Sequence, residues 1–164
     1  MTAAQNIRPA AGYVHTQHGP LWLTLCSAAA LCFWLAMREP SDHARWVAAA
    51  VGAIVILLAG AFHHLTVQDQ GDQLEVRFGP WPLFRRRVKY ADIVSAIPGR
   101  TSILDGWGIH YSLSGGWVWN LWGRDCVVVK LKSSTLRIGT DDAAQLAAFL
   151  QQKLNRTNPN SSRP

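Results

Sequence analysis

The densest charge in the chain is the run Arg85-Arg86-Arg87-Val88-Lys89. Strand alternation sends Arg85, Arg87 and Lys89 to one face and Arg86 to the face of Phe84, so three cations share a surface suited to anionic headgroups. Just before it, Pro80-Trp81-Pro82 is a stiff turn with an exposed indole, and each cation near an anionic bilayer contributes about 1 kcal/mol. The plainer reading is a solvated strand face that keeps a sheet soluble and marks one side of a membrane. Trp107, Trp117, Trp119 and Trp122 form a second concentration, with Trp117 and Trp119 on one side of a strand and Trp122 on the other. They supply either an interaction surface or large core area. Trp81, Arg85, Arg87, Lys89, Trp117 and Trp119 are therefore the candidate lipid- or partner-binding residues.

Other reactive residue types lack a productive spacing. His63 and His64 are adjacent, and neighbours on a helix point about 100° apart, which is poor geometry for one metal. They read as interfacial histidines. Cys26 and Cys32 lie six apart on different faces of an apolar stretch and Cys126 opens a strand, which gives neither a disulfide framework nor a metal spacing. Asp141-Asp142 reads as the first turn of a helix, and no helix follows Gly106-Trp107-Gly108 to cradle a phosphate. With no nucleophile beside a base, the expectation is a protein that is not an enzyme and that needs no cofactor and no metal.

The elements that position these residues follow from where charge is missing. The chain has 164 residues, 49% of them hydrophobic and 16% charged, enough for one compact domain and a membrane segment but not for a multidomain enzyme. Residues 21–37 and 46–65 carry no Asp, Glu, Lys or Arg. One such charge at mid-bilayer costs roughly 2.5 to 3.5 kcal/mol, against roughly 0.3 to 0.6 gained per Leu, Ile, Val or Phe, so both stretches read as transmembrane helices. The short polar connector with Pro40 makes them an antiparallel hairpin over residues 21–65. Trp22, Trp34 and Trp46 fall near the span ends as interface anchors. Ala48, Ala49, Gly52 and Ala53 permit close approach to the first helix or to another copy of the chain. A cleaved signal peptide fits poorly, because one Arg precedes the first span and no small-residue cleavage site follows Met37.

After Val67 stand 13 of the 16 Lys and Arg and 8 of the 10 Asp and Glu. The surplus suits anionic lipid or nucleic acid, and nucleic acid is not an expected partner. Arg77, Arg85, Arg86, Arg87 and Lys89 follow the second span, against Arg38 and Arg45 in the connector, which puts both termini in the cytoplasm.

Beyond the hairpin the apolar period becomes two. Leu74, Val76 and Phe78 oppose Glu75 and Arg77; Val127, Val129 and Leu131 oppose Lys130 and Lys132; Ile109, Tyr111 and Leu113 alternate, as do Leu136 and Ile138. Turn residues, among them Gln70-Gly71-Asp72, Asp105-Gly106 and Ser114-Gly115-Gly116, cut the region into about seven short antiparallel strands. Ala143, Leu146, Ala147, Leu150 and Leu154 then make a helical stripe that closes the sheet. The fold class is α+β, with a β domain over residues 66–154. Residues 1–20 and 155–164 have little to bury and read as disordered.

The order of seven strands and a capping helix after a membrane hairpin, with Leu74-Glu75-Val76-Arg77-Phe78-Gly79, Gly106-Trp107-Gly108-Ile109 and Leu136-Arg137-Ile138-Gly139-Thr140-Asp141-Asp142, resembles bacterial membrane-anchored proteins with a pleckstrin-homology-like domain. The resemblance implies a PH-like fold and an inner-membrane location, and it carries no chemistry. Phosphoinositide binders of the wider fold use a basic loop between their first two strands; here that loop reads Asp69-Gln70-Gly71-Asp72, so that property does not transfer. The expected function is a membrane-tethered interaction module that binds a membrane or cytoplasmic protein or the anionic membrane surface. The alternative is a structural or accessory subunit assembled through the hairpin, with other proteins or with further copies of itself.

Overall fold

A computed structural model describes residues 12–81, 83–102, 106–112 and 115–157. The expected disorder of residues 1–11 and 158–164, and the places of Pro82, Asp105, Leu113 and Ser114, lie outside the described residues. The chain runs β1 (Val14–His18), α1 (Leu21–Arg38), α2 (Asp42–Ala61), β2 (His64–Asp69), β3 (Gln73–Phe78), β4 (Phe84–Lys89) and a 3-10 turn (Tyr90–Asp92). It continues through β5 (Ile93–Arg100), β6 (Gly108–Tyr111), β7 (Trp117–Asn120), β8 (Asp125–Leu131), β9 (Thr135–Gly139) and α3 (Ala143–Thr157). The architecture is α+β: two apolar helices, then two sheets of four and five strands and a C-terminal helix.

At about 1.5 Å per residue, the 18 residues of α1 and 20 of α2 reach about 27 and 30 Å, enough to cross a bilayer by length and composition. They pack on each other and turn Leu31, Trp34, Leu35, Val47, Ile54 and Leu57 outward. Their mutual contact uses small residues: Ala29 and Ala36 are buried in α1, and Gly52 and Ala59 in α2. A Cβ at Gly52 would press on the Phe33 ring at 3.1 Å, so Gly52 is used inside the hairpin, whereas Ala48 and Ala49 are half-buried and Ala53 is exposed.

The N-terminal segment departs from the expected disorder. Val14–His18 is a strand, paired antiparallel with β2 from Val14↔Gln68 to His18↔His64. Thr16 and Thr66 hydroxyls meet at 2.9 Å, and the Tyr13 hydroxyl donates to Asp142 at 3.1 Å. The strand is legible only as pairing, because an edge strand of sequence VHTQH is held by backbone hydrogen bonds rather than by alternating apolar side chains. The β domain therefore begins before the hairpin, and α1 and α2 are an insertion between two neighbouring strands.

Among the described residues there are nine strands, β1 before the hairpin and eight after it, rather than about seven, and the pairing is not all antiparallel. The first sheet has the order β1-β2-β3-β4 and the second β5-β8-β9-β7-β6, in which β7 runs parallel to β9. The short turn at Ser133 and Ser134 makes β8 and β9 a hairpin, which leaves only the far edge of β9 for β7. A period of two is common to both ladder types, so side-chain alternation does not reveal this.

Leu65, Val67, Leu74, Val76 and Phe78 of the first sheet face one core with Val127, Val129, Leu136 and Ile138 of the second. Leu146, Ala147 and Leu150 of α3 are buried in the same core, with Ala143 and Leu154 partly buried against it, as the stripe predicts. α3 extends past Leu154 to Thr157.

One polar cluster fastens α3 to the first sheet. Asp69, at the end of β2, accepts from Lys153 at 2.8 Å, the Tyr90 hydroxyl at 2.7 Å and the Gly71 N–H at 2.9 Å. Burial alone would raise the Asp69 carboxyl, but those hydrogen bonds and the Lys153 charge outweigh it and hold its pKa below the ordinary aspartate value. A depressed folded-state pKa stabilises above the unfolded value of about 3.9 and ceases to do so as pH falls through the folded value. Asp69→Ala should cost about 2 to 3 kcal/mol at neutral pH. Chemical denaturation of the detergent-solubilised chain at pH 7 and below pH 4 should show that difference shrinking on acidification.

Candidate functional site

Alternation along β4 places its residues as the sequence predicts. Arg85, Arg87 and Lys89 point outward, while Phe84 and Arg86 are half-buried and Val88 is buried on the inner side. The outward cations are not equivalent. Glu75, nearly buried on the adjacent β3, accepts from Arg87 Nε at 2.8 Å and lies 3.9 Å from Arg85 Nε. Arg87 is thus committed to an internal ion pair. Lys89 lies at the far end of β4, in a polar depression with Gln73, Asp92 and Lys132.

Phe84 and Arg86 on the inner side of β4, together with the outward Arg85, border a gap shared with β6 and β7. There Phe84, Arg85, Arg86, Ile109, Trp117 and Trp119 line an open groove of about 430 Å³. Trp119 forms its floor, 8% exposed and 5.8 Å from the Phe78 ring, and its indole N–H has no acceptor among the described residues. Trp117 is 41% exposed and meets Tyr111 edge-on at 5.9 Å. The Trp-rich and Arg-rich features, separate in the sequence, thus meet in one groove. Arg86 was missed as a site residue because alternation assigns it to the inner face, and only the packing of the two sheets opens that face. Burial draws its guanidinium below the ordinary value.

The other tryptophans go elsewhere. Trp107 and Trp122 stack at 4.2 Å away from the groove, so the four do not make one surface. Trp81 lies against the last turn of α2, where a Cβ on Gly60 would come within 2.8 Å of its ring, and it remains half exposed. Of the expected anchors, Trp34 and Trp46 are exposed near the connector, with Arg38 over the Trp34 ring at 5.2 Å. Trp22 opens α1 at the opposite end, 5.4 Å from His63.

The groove is joined to the helices by a row of rings. Phe62, the residue after α2, stacks on Phe84 at 5.5 Å and meets Phe78 at 5.0 Å. Its wall is therefore one aromatic ring from the end of α2.

The histidines correct an expectation. Their poor geometry was argued for a helix, but α2 stops at Ala61, so His63 lies in the turn and His64 opens β2. Their Nδ1 atoms lie 3.3 Å apart, and His18 joins them. Burial, then the charges of His63, His18 and Arg77, lowers the His64 pKa below the ordinary histidine value.

Compared with known proteins, the chain matches no family model and no curated protein. The site's interpretation rests on its geometry.

The two groove tryptophans should separate cleanly. Trp119→Ala removes a buried ring and should cost about 3 to 5 kcal/mol, whereas Trp117→Ala should cost under about 1 kcal/mol. Denaturant titration of both variants in the same detergent checks the contrast.

Proposed function

We propose that the chain is a membrane-tethered, non-enzymatic interaction module of pleckstrin-homology-like architecture. It is multi-pass in a bacterial inner membrane with both termini in the cytoplasm, and its groove between β4 and β6–β7 engages the anionic surface of that bilayer. The observation that carries this reading is the stacking of Phe84 on Phe62, which starts the groove one ring beyond the end of α2. A groove so placed sits at headgroup level when α2 spans the bilayer.

Its composition fits that position. Aromatic walls accept the apolar edge of a headgroup layer, and Arg85 and Arg86 supply charge at about 1 kcal/mol each. The basic residues on the domain side of the helices, Arg77 through Lys89, outnumber those of the connector, which supports a cytoplasmic domain. Gly52 and Ala59 are used within the hairpin, which favours surface engagement by the domain over assembly through those residues.

Because β1 and Phe62 belong to the domain, the test needs the full chain. In nanodiscs of phosphatidylglycerol, backbone amides of β4, β6 and β7 should exchange more slowly than in phosphatidylcholine nanodiscs. High salt should remove the difference, and Arg85→Glu, a change of two charge units at about 1 kcal/mol each, should reduce it by roughly thirtyfold. Arg86→Gln, milder at a half-buried position, should act in the same direction. Identical exchange in the two lipids at low salt would refute the reading.

A further inference from the structure

We propose that His18, His63 and His64 form a binding site for one divalent transition metal ion of the imidazole-preferring class, zinc first, at the root of the helical hairpin. One ring nitrogen from each of the three lies within 4.8 Å of the others. The Nδ1 atoms of His63 and His64 are 3.3 Å apart. Two nitrogens bound at about 2.1 Å with tetrahedral angles stand about 3.4 Å apart, so this pair already has the span of one edge of a zinc site. Two ring nitrogens that face each other at this distance need a proton or a cation between them.

The backbone fixes the cluster. His18 and His64 are the last register pair of the β1–β2 ladder, and directly opposed residues in an antiparallel pair hold their Cβ atoms about 5 Å apart on one face. His63 reaches the same point because the chain turns between Ala61 and His64. The rings also touch, with centroids 5.5 to 5.6 Å apart, so little movement is needed to close the third ligand onto the ion. His18 and His63 are exposed and His64 half-buried, which leaves solvent a route to the ion. Three neutral imidazoles with an open fourth position are a zinc donor set, and imidazole also suits cobalt, nickel and copper.

The site has a structural consequence. His18 lies just before α1 and His63 just after α2, so the ion would link the start of one helix to the end of the other, where both enter the sheet. The metal-loaded root is stiffer than the empty one.

The test uses the full, untagged chain in detergent after treatment with a chelator. Titration with Co²⁺ should give one equivalent bound with a tetrahedral visible spectrum, displaced by Zn²⁺. His18→Ala and His63→Ala, both at exposed positions, should each weaken binding by at least about tenfold, the cost already seen for lost supporting partners in metal sites. His43→Ala, in the first turn of α2 at the other end of the hairpin, should change nothing. Zn²⁺ should raise the Tm of the parent chain and not that of the His18→Ala/His63→Ala double variant. Absence of saturable Co²⁺ uptake by the parent, or equal uptake by a folded double variant, would reduce the cluster to aromatic packing and overturn the proposal.

Discussion

The structure depends on how little chain separates the helices from the sheet. β1 ends at His18 and α1 begins at Leu21; α2 ends at Ala61 and β2 begins at His64. Two residues on each side cannot act as a flexible linker, so the strand pair β1–β2 continues directly into the helix pair α1–α2. Phe62 fills the junction by inserting its ring between Phe78 and Phe84. Gly79 closes it from the other side: its φ is +65°, its N–H donates to the His64 carbonyl at 2.7 Å, and a Cβ there would collide with the Ala61 carbonyl. Helix end, strand start and the β3–β4 turn are one packed unit, so the domain joins the hairpin through packed contacts rather than through a free linker.

That rigidity decides which charges can act outward. Glu75 draws in Arg87, and Asp69 holds Lys153 and Tyr90, so part of the basic surplus is consumed in holding β3 to β4 and α3 to the first sheet. Burial and the Asp69 hydrogen bond push the Tyr90 hydroxyl well above its ordinary pKa, which keeps it a donor in that cluster. The turn Asp69-Gln70-Gly71-Asp72, which joins β2 to β3, is thus a structural clamp. Arg85 and Arg86, the cations of the proposed groove, lie at the opposite end of β4.

Sequence patterning reached those parts of the fold in which one solvent acts on one element. Absence of charge marks α1 and α2, and apolar spacing marks α3 and the strands around Val76 and Val129, because burial alone selects those residues. It did not reach what depends on two distant segments meeting. β1 is polar and exists through its pairing with β2. The end of α2 is hidden because the uncharged run continues to Leu65, across a change from helix into buried strand. The parallel placement of β7 and the division of the tryptophans into a groove and a separate stacked pair are products of sheet order. His18 carried no local signal, since its partners lie more than forty residues later.

The tether also explains why the proposed surface contact can be weak in each of its parts. Two cations at about 1 kcal/mol each would give a free domain a dissociation constant of the order of tens of millimolar, which is no binding in practice. A groove fixed one ring from the end of a spanning helix meets the headgroup layer as an intramolecular event, at an effective concentration set by geometry rather than by diffusion. Rigid placement at the root raises that concentration above what a flexible linker of the same length provides. A membrane-held domain therefore needs no deep, highly charged headgroup pocket. On the proposed reading, a shallow aromatic groove with two arginines suffices to orient the domain on the surface, and the packing at the root sets how well that orientation is held.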